Sequence, residues 1–194
     1  DRDYVTSLYF AEGTVSIAPN DAVVLALPPE ACNQIWPDAG APTAGGTIVN
    51  AHFRLDYRVR LPGDVPFIGL IGTEAQWLFL RQNIVSLTVS ASDRIAYKPN
   101  WEIAKLLWSE ARLALEGATA RLPAWRIIKE RRATFSQTPS QVNSRPDGIT
   151  VFKNLFLAGD WTNTGLPATI EGGVKSGFNA ANSAITVIRK NRAD

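Results

Sequence analysis

Apolar and polar residues alternate across residues 4–17 on either side of Glu12-Gly13, which predicts a β-hairpin. Residues 22–27 are short and wholly apolar, as expected of a strand central in a sheet, and Pro28-Pro29 stops them. A short helix up to Trp36 follows. Residues 37–46 are rich in turn formers and mark a first boundary. Strands are then expected over 47–55, 67–71 and 76–80, with residues 75–83 reading as a strand pair around a tight turn. Residues 84–91 alternate cleanly: Ile84, Ser86, Thr88 and Ser90 on one parity, Val85, Leu87, Val89 and Ala91 on the other. This suits an antiparallel sheet covered on one face.

The period changes at Asn100. Ile103, Leu106, Leu107, Ala111, Ala114 and Leu115 form one stripe of a helix over 100–117, with Asn100 as its N-cap and Gly117 at its end. Trp101 and Trp108 extend the stripe, as core or as a substrate platform. An Arg-rich strand is expected over 125–133, and the Gln-, Ser-, Pro- and Asn-bearing stretch 134–148 reads as a loop and second boundary. A buried strand at 155–158 and a helix over 168–188 close the chain, with fraying after it. The expected fold is α/β with an α+β insert: segments 1–45 and 136–194 form one domain, and 46–135 an inserted antiparallel sheet with a helix. No internal repeat or low-complexity run is visible.

The strongest candidate chemistry lies where that last strand meets the last helix. Gly159 allows a sharp turn, and Asp160 puts a carboxylate at the carboxyl end of the strand, where open α/β sheets bind ligands. Thr169, Ile170, Glu171, Gly172 and Gly173 then open a helix with two glycines in its first turn. Free N–H groups at such a terminus approach a ligand closely and favour negative charge. A carboxylate and a bare helix terminus on one loop suit a cofactor with hydroxyls at one end and an electron-rich carbonyl at the other.

Phe156-Leu-Ala-Gly-Asp160, followed by Thr169-Ile-Glu-Gly-Gly-Val-Lys-Ser-Gly177 and an Ala-bearing helix, resembles the C-terminal flavin-binding motif of the amine oxidase and phytoene desaturase superfamily. Within it, Gly159-Asp-Trp-Thr-Asn-Thr-Gly-Leu-Pro-Ala-Thr-Ile-Glu171 is most similar to the squalene-associated FAD-dependent desaturases, the hydroxysqualene dehydroxylases of hopanoid biosynthesis. Asp21-Ala-Val-Val-Leu-Ala-Leu-Pro-Pro-Glu30 is similar to the strand and turn that precede the substrate domain in these flavoproteins.

The resemblance implies FAD as cofactor, held in the C-terminal part of a Rossmann-like FAD-binding domain. Gly159 and Asp160 would lie at its ribityl or pyrophosphate part, with Thr169, Ile170 and Glu171 along the isoalloxazine ring. The N–H groups around Gly172, Gly173 and Val174 would face the pyrimidine, where negative charge develops on reduction. It implies a squalene-type polyprenyl substrate, an external reductant and an apolar tunnel, for which Phe53, Trp77 and Phe79 are candidates. Carotenoid desaturation and amine oxidation are the neighbouring alternatives. The motif usually has Ala at the position of Gly173. No acid–base pair is singled out.

The family's N-terminal G-x-G-x-x-G does not occur here, the chain opens on Asp1, and it contains no Met. The expectation is a C-terminal portion that binds FAD weakly unless a dinucleotide-binding half accompanies it. Without that half, a non-catalytic module that self-associates or binds lipid is the rival reading.

Composition adds bounds. An apolar fraction of 45%, a charged fraction of 20% and a net charge of +2 are those of an ordinary globular protein with no nucleic-acid footprint. The basic clusters at 129–132 and 189–192 read as solvated faces, with peripheral contact to an anionic inner membrane kept as the alternative. Cys32 is alone and reads as a small core residue, which fits a reducing cytoplasmic setting. His52 is also alone, a hydrogen-bonded strand residue or a base, and no metal set is expected.

Overall fold

The structure is a computed structural model and describes residues 3–43 and 45–193. In chain order the elements are β1 (Ser7–Phe10), β2 (Gly13–Ser16), β3 (Val23–Leu25), α1 (Pro29–Ile35), β4 (Ile48–Arg54), β5 (Phe67–Gly69), β6 (Trp77–Arg81) and β7 (Ile84–Val89). There follow α2 (Asp93–Ala96), α3 (Asn100–Ala114), β8 (Ala124–Glu130), α4 (Pro139–Asn143), β9 (Leu155–Leu157) and α5 (Ile170–Ala193). The chain divides into two compact units: Asp1–Ala44 with Phe135–Asp194, and Gly45–Thr134.

The second unit is an antiparallel sheet in the order β5-β6-β7-β4-β8. Its alternation is set by burial on one face only. Val49, Ala51 and Phe53 of β4 pair across the ladder with Val89, Leu87 and Val85 of β7, and all six are sealed from solvent. This face packs on α3, which contributes Ile103, Ala104, Leu107, Trp108 and Ala111. Phe53 and Trp108 meet at 5.1 Å between ring centroids. Trp108 also donates its indole N–H to the Thr119 carbonyl at 3.2 Å. Thr47 anchors the sheet to α2: its N–H and hydroxyl donate to the Asp93 carboxylate at 3.1 and 2.7 Å. These bonds hold the Asp93 carboxyl below its ordinary range.

The first unit is assembled from both ends of the chain. The β1–β2 hairpin stands as expected. β3 and β9 run parallel, with Val23, Val24 and Leu25 opposite Leu155, Phe156 and Leu157. The β9 segment is covered on both sides. Phe156 and Ala158 pack on Ala180 and Ala184 of α5. Leu157 joins Cys32, Ala39, Ala41, Phe135 and Trp161 on the other side. Asn154, just before β9, is buried, and its amide both accepts from the Val5 N–H at 2.8 Å and donates to the Val5 carbonyl at 2.9 Å.

Several expectations are corrected. Among the described residues β3 has one partner strand, so it is not central within this chain. Asn100 is the first helical residue of α3 and Pro99 its N-cap, because a proline without an N–H suits that boundary. Gly117 lies past the helix end, where its φ of 82° serves the turn carrying the Arg60–Glu116 bridge. Trp101 is half exposed under Lys105, whereas Trp108 is core. The 134–148 loop contains α4, started by Pro139 and capped by the Thr138 hydroxyl, which accepts from the Gln141 N–H at 3.4 Å. α5 starts at Ile170 and continues to Ala193, past the expected end at 188.

Phe53 lies inside the unit core, closed to solvent, so the expectation that it lines a substrate tunnel is corrected. Phe53→Ala is expected to cost about 3–5 kcal/mol, the range for emptying a buried aromatic site. Urea unfolding followed by tryptophan fluorescence measures it. A loss below about 1 kcal/mol would place Phe53 outside the core.

Candidate functional site

The turn from β9 into α5 is built around one buried cation. Arg145, only 8% exposed, reaches into the loop that follows Gly159. Its Nη1 donates to the Leu166 carbonyl at 2.6 Å. Its Nη2 donates to the Asp160 carbonyl at 2.7 Å, to the Thr162 carbonyl and to the Thr164 hydroxyl at 3.3 Å. Its Nε donates to the Trp161 carbonyl at 3.3 Å. The guanidinium also lies over the Phe135 ring, 5.3 Å from the centroid. A planar fork with five N–H donors suits a loop whose carbonyls converge. Burial lowers the Arg145 pKa, and the Asp160 charge opposes the shift.

Trp161 fixes the loop from its other side. It is buried in the Cys32–Phe135 cluster and donates its indole N–H to the Leu27 carbonyl at 2.8 Å. A side chain on Gly159 would overlap that indole, so the turn requires glycine. Ser176 of α5, also buried, ties the turn to the helix. Its hydroxyl accepts from the Gly159 N–H at 2.8 Å and donates to the Gly173 carbonyl at 2.7 Å.

Between these fixed points lie the candidate residues. Asp160 is half-buried. Its backbone carbonyl is used by Arg145, while its carboxylate has no hydrogen-bond partner among the described residues. Thr169 caps α5: its hydroxyl accepts from the Gly172 N–H at 3.2 Å and its carbonyl from the Gly173 N–H at 3.0 Å. The expectation of open N–H groups around Gly172, Gly173 and Val174 is therefore corrected. Thr169 satisfies the first two, and Val174 lies a full turn inside the helix. Within the first turn of α5, the N–H groups of Ile170 and Glu171 have no acceptor among the described residues, because a helix cannot satisfy its first donors internally.

The two glycines of the first turn are not equivalent. A Cβ on Gly172 would lie 2.8 Å from the Pro167 carbonyl oxygen and 3.7 Å from Asp160 Cβ. The loop thus crosses the helix start at that residue, bringing Asp160 beside it. A Cβ on Gly173 would meet nothing within 4 Å. Ile170 and Val174 are 85% and 54% exposed.

The other aromatic candidates lie in the sheet unit. Trp77 and Phe79 of β6 point away from the α3 side, 45% and 41% exposed, beside Phe67 of β5. Phe53 is on the covered face. A cleft of about 490 Å³ opens beside Arg145 between α4 and residues 163–167, and none of the candidate cofactor residues lines it. Sequence reasoning missed Arg145. A cation whose partners are mostly main-chain carbonyls leaves no spacing pattern. The α4 start was legible in Thr138-Pro-Ser-Gln141, a capping-box pattern with Pro at the first helical position.

The family model described as flavin-containing amine oxidoreductase matches residues 2–185. The chain is 44% identical over 184 residues to a hydroxysqualene dehydroxylase of Sinorhizobium fredii, covering 95% of this chain and 43% of that protein. It is 44% identical over 188 residues to one of Rhodopseudomonas palustris, covering 96% and 44%. Among solved structures, a protoporphyrinogen oxidase-like protein of Exiguobacterium sp. 255-15 superposes with a TM-score of 0.62 at 12% identity, over 97% of this chain and 44% of its own. The chain thus spans less than half the length of the proteins it matches.

Two substitutions separate the glycines. Gly173→Ala is expected to raise stability by about 0.5–1 kcal/mol, from helix propensity alone. Gly172→Ala is expected to lower it by about 1–3 kcal/mol, because backbone must move. Equal effects in urea unfolding would refute the crossing. Arg145→Met is expected to cost about 2–4 kcal/mol by stranding the converged carbonyls. It should also free the amides of residues 160–166 to hydrogen exchange, and unchanged exchange there would show that the loop holds without the cation.

Proposed function

Because the chain belongs to the family of flavin-containing amine oxidoreductases, we propose that it carries one side of the FAD site and the substrate-facing sheet of an FAD-dependent oxidoreductase. The enzyme would remove the hydroxyl of a squalene-type polyprenyl alcohol in hopanoid or related isoprenoid biosynthesis. The observation that carries this reading is the turn from Gly159 to Glu171. It presents an unpartnered carboxylate and two open N–H groups at one helix start, held there by Arg145, Trp161 and Ser176.

These groups fit a flavin. The Asp160 carboxylate would accept from ribityl hydroxyls. The Ile170 and Glu171 N–H groups and the helix dipole would favour the pyrimidine edge, which gains negative charge on reduction. Gly172 lets the loop close over the helix start, leaving Ile170 and Val174 as an apolar surface for the ring. Bound FAD would supply hydride equivalents, replenished by an external reductant. The chain's own residues bind, orient and exclude water. This reading places the nucleotide-binding βαβ unit outside these 194 residues, since they contain no G-x-G-x-x-G.

Trp77 and Phe79 would line the path of the polyprenyl chain. No helix among the described residues is long and apolar enough to cross a membrane. In this reading the lipid substrate would reach the enzyme by peripheral contact with the inner membrane, from the cytoplasmic side. A second reading is favoured by one observation: Ile170, Val174 and Phe178 stand exposed at successive turns of α5. Such a stripe suits association with a dinucleotide-binding half or with a second copy of the chain.

The test uses the full-length protein with bound FAD, reduced anaerobically and offered hydroxysqualene, phytoene or simple amines. Squalene formation is expected, and turnover of amines alone would overturn the reading. Asp160→Asn is expected to weaken FAD binding about tenfold by flavin fluorescence, the worth of a charge-assisted hydrogen bond.

A further inference from the structure

The uncovered face of the five-stranded sheet is divided by chemistry. Register places Arg126, His52, Ser86, Phe79 and Phe67 side by side across β8, β4, β7, β6 and β5. The next row is Ile128, Asn50, Thr88 and Trp77. Directly opposed residues on one face are in reach of each other. Both rows pass from hydrogen-bonding groups on β4 and β7 to an exposed aromatic ring on β6; the first continues to Phe67 on β5, and the second ends at Gly69. Phe67 lies 6.1 Å from Trp77 and 5.7 Å from Phe79 between centroids.

The polar half is ordered. His52 Nδ1 and the Ser86 hydroxyl are 2.8 Å apart. The Thr88 hydroxyl donates to Asn50 Oδ1, also at 2.8 Å. These bonds use one end of each inner side chain. His52 Nε2 and Asn50 Nδ2 have no partner among the described residues. No side-chain nitrogen or oxygen there is both buried and unpartnered, so these two atoms are open to a ligand. Two free polar atoms, oriented by neighbours and bordered by three exposed aromatic rings, complement a long hydrocarbon that carries one hydroxyl. They do not complement a hydrocarbon without one.

We propose that His52 and Asn50, oriented by Ser86 and Thr88, bind the hydroxyl of a polyprenyl alcohol, and that Trp77 and Phe79 take the adjoining chain. The assignment rests on the function proposed above and makes this polar pair the determinant of preference for the alcohol over the parent hydrocarbon. In it, His52 and Asn50 hold the oxygen, and Ser86 and Thr88 are positioning residues.

The test measures equilibrium binding of hydroxysqualene and of squalene to the oxidised full-length holoenzyme, in one detergent, by tryptophan fluorescence. Without reductant there is no turnover. The wild type is expected to prefer the alcohol, and His52→Phe to lower that preference about tenfold while leaving squalene affinity unchanged. Thr88→Val, which frees Asn50 without removing it, should lower the preference less. Thermal melting of both variants checks folding. In reduced enzyme the loss should fall on KM more than on kcat. A wild type that binds and converts hydroxysqualene, with the preference intact in both folded variants, would overturn the assignment alone. A wild type that neither binds nor converts hydroxysqualene would overturn the functional reading and this inference with it.

Discussion

One guanidinium holds the candidate cofactor turn in place. Residues 160–167 form no regular ladder, so their carbonyls need partners from elsewhere. Arg145 supplies them for Asp160, Trp161, Thr162 and Leu166. The cation is desolvated, and the converging dipoles compensate in place of an opposing carboxylate salt bridge. This leaves the Asp160 carboxylate free while its backbone is fixed. A loop closed by an Arg–Asp side-chain pair would have consumed the group that the proposed site needs.

The two units solve the burial problem differently. The sheet unit buries one face and leaves the other uncovered, and strict alternation along β4 and β7 is the consequence. The other unit buries β9 completely, and a three-residue strand then suffices to separate α5 from the Trp161 cluster. Small residues on α5, Ala180 and Ala184, let the helix lie close to Phe156.

What the sequence made legible follows from these two patterns. The 84–91 alternation, the α3 stripe and the buried run at 155–158 each state one burial geometry, so strand and helix types emerged with little ambiguity. The α2 helix has four residues, too few to establish a period. Gly172 and Gly173 look alike in a string, and only the passage of the Pro167 carbonyl distinguishes them. Phe53, Trp77 and Phe79 look alike as well. Strand register puts the first on the covered face and the others on the open one. Arg145 was invisible because most of its partners are backbone atoms, which every residue possesses.

The bonds between Asn154 and Val5 join positions 149 apart in the chain, and the Trp161–Leu27 bond joins positions 134 apart. The sheet unit lies wholly between those ends. On a ribosome, the hairpin and β3 therefore emerge well before β9, the strand that pairs with β3 among the described residues. The 45–134 segment follows and contains every contact of its own core, so it can close while synthesis continues. Only when β9 and α5 appear can the early strand be enclosed, across an already folded insert that shortens the effective loop. The β3–β9 pairing must wait through that interval, so the closing of this unit joins segments that leave the ribosome far apart in time.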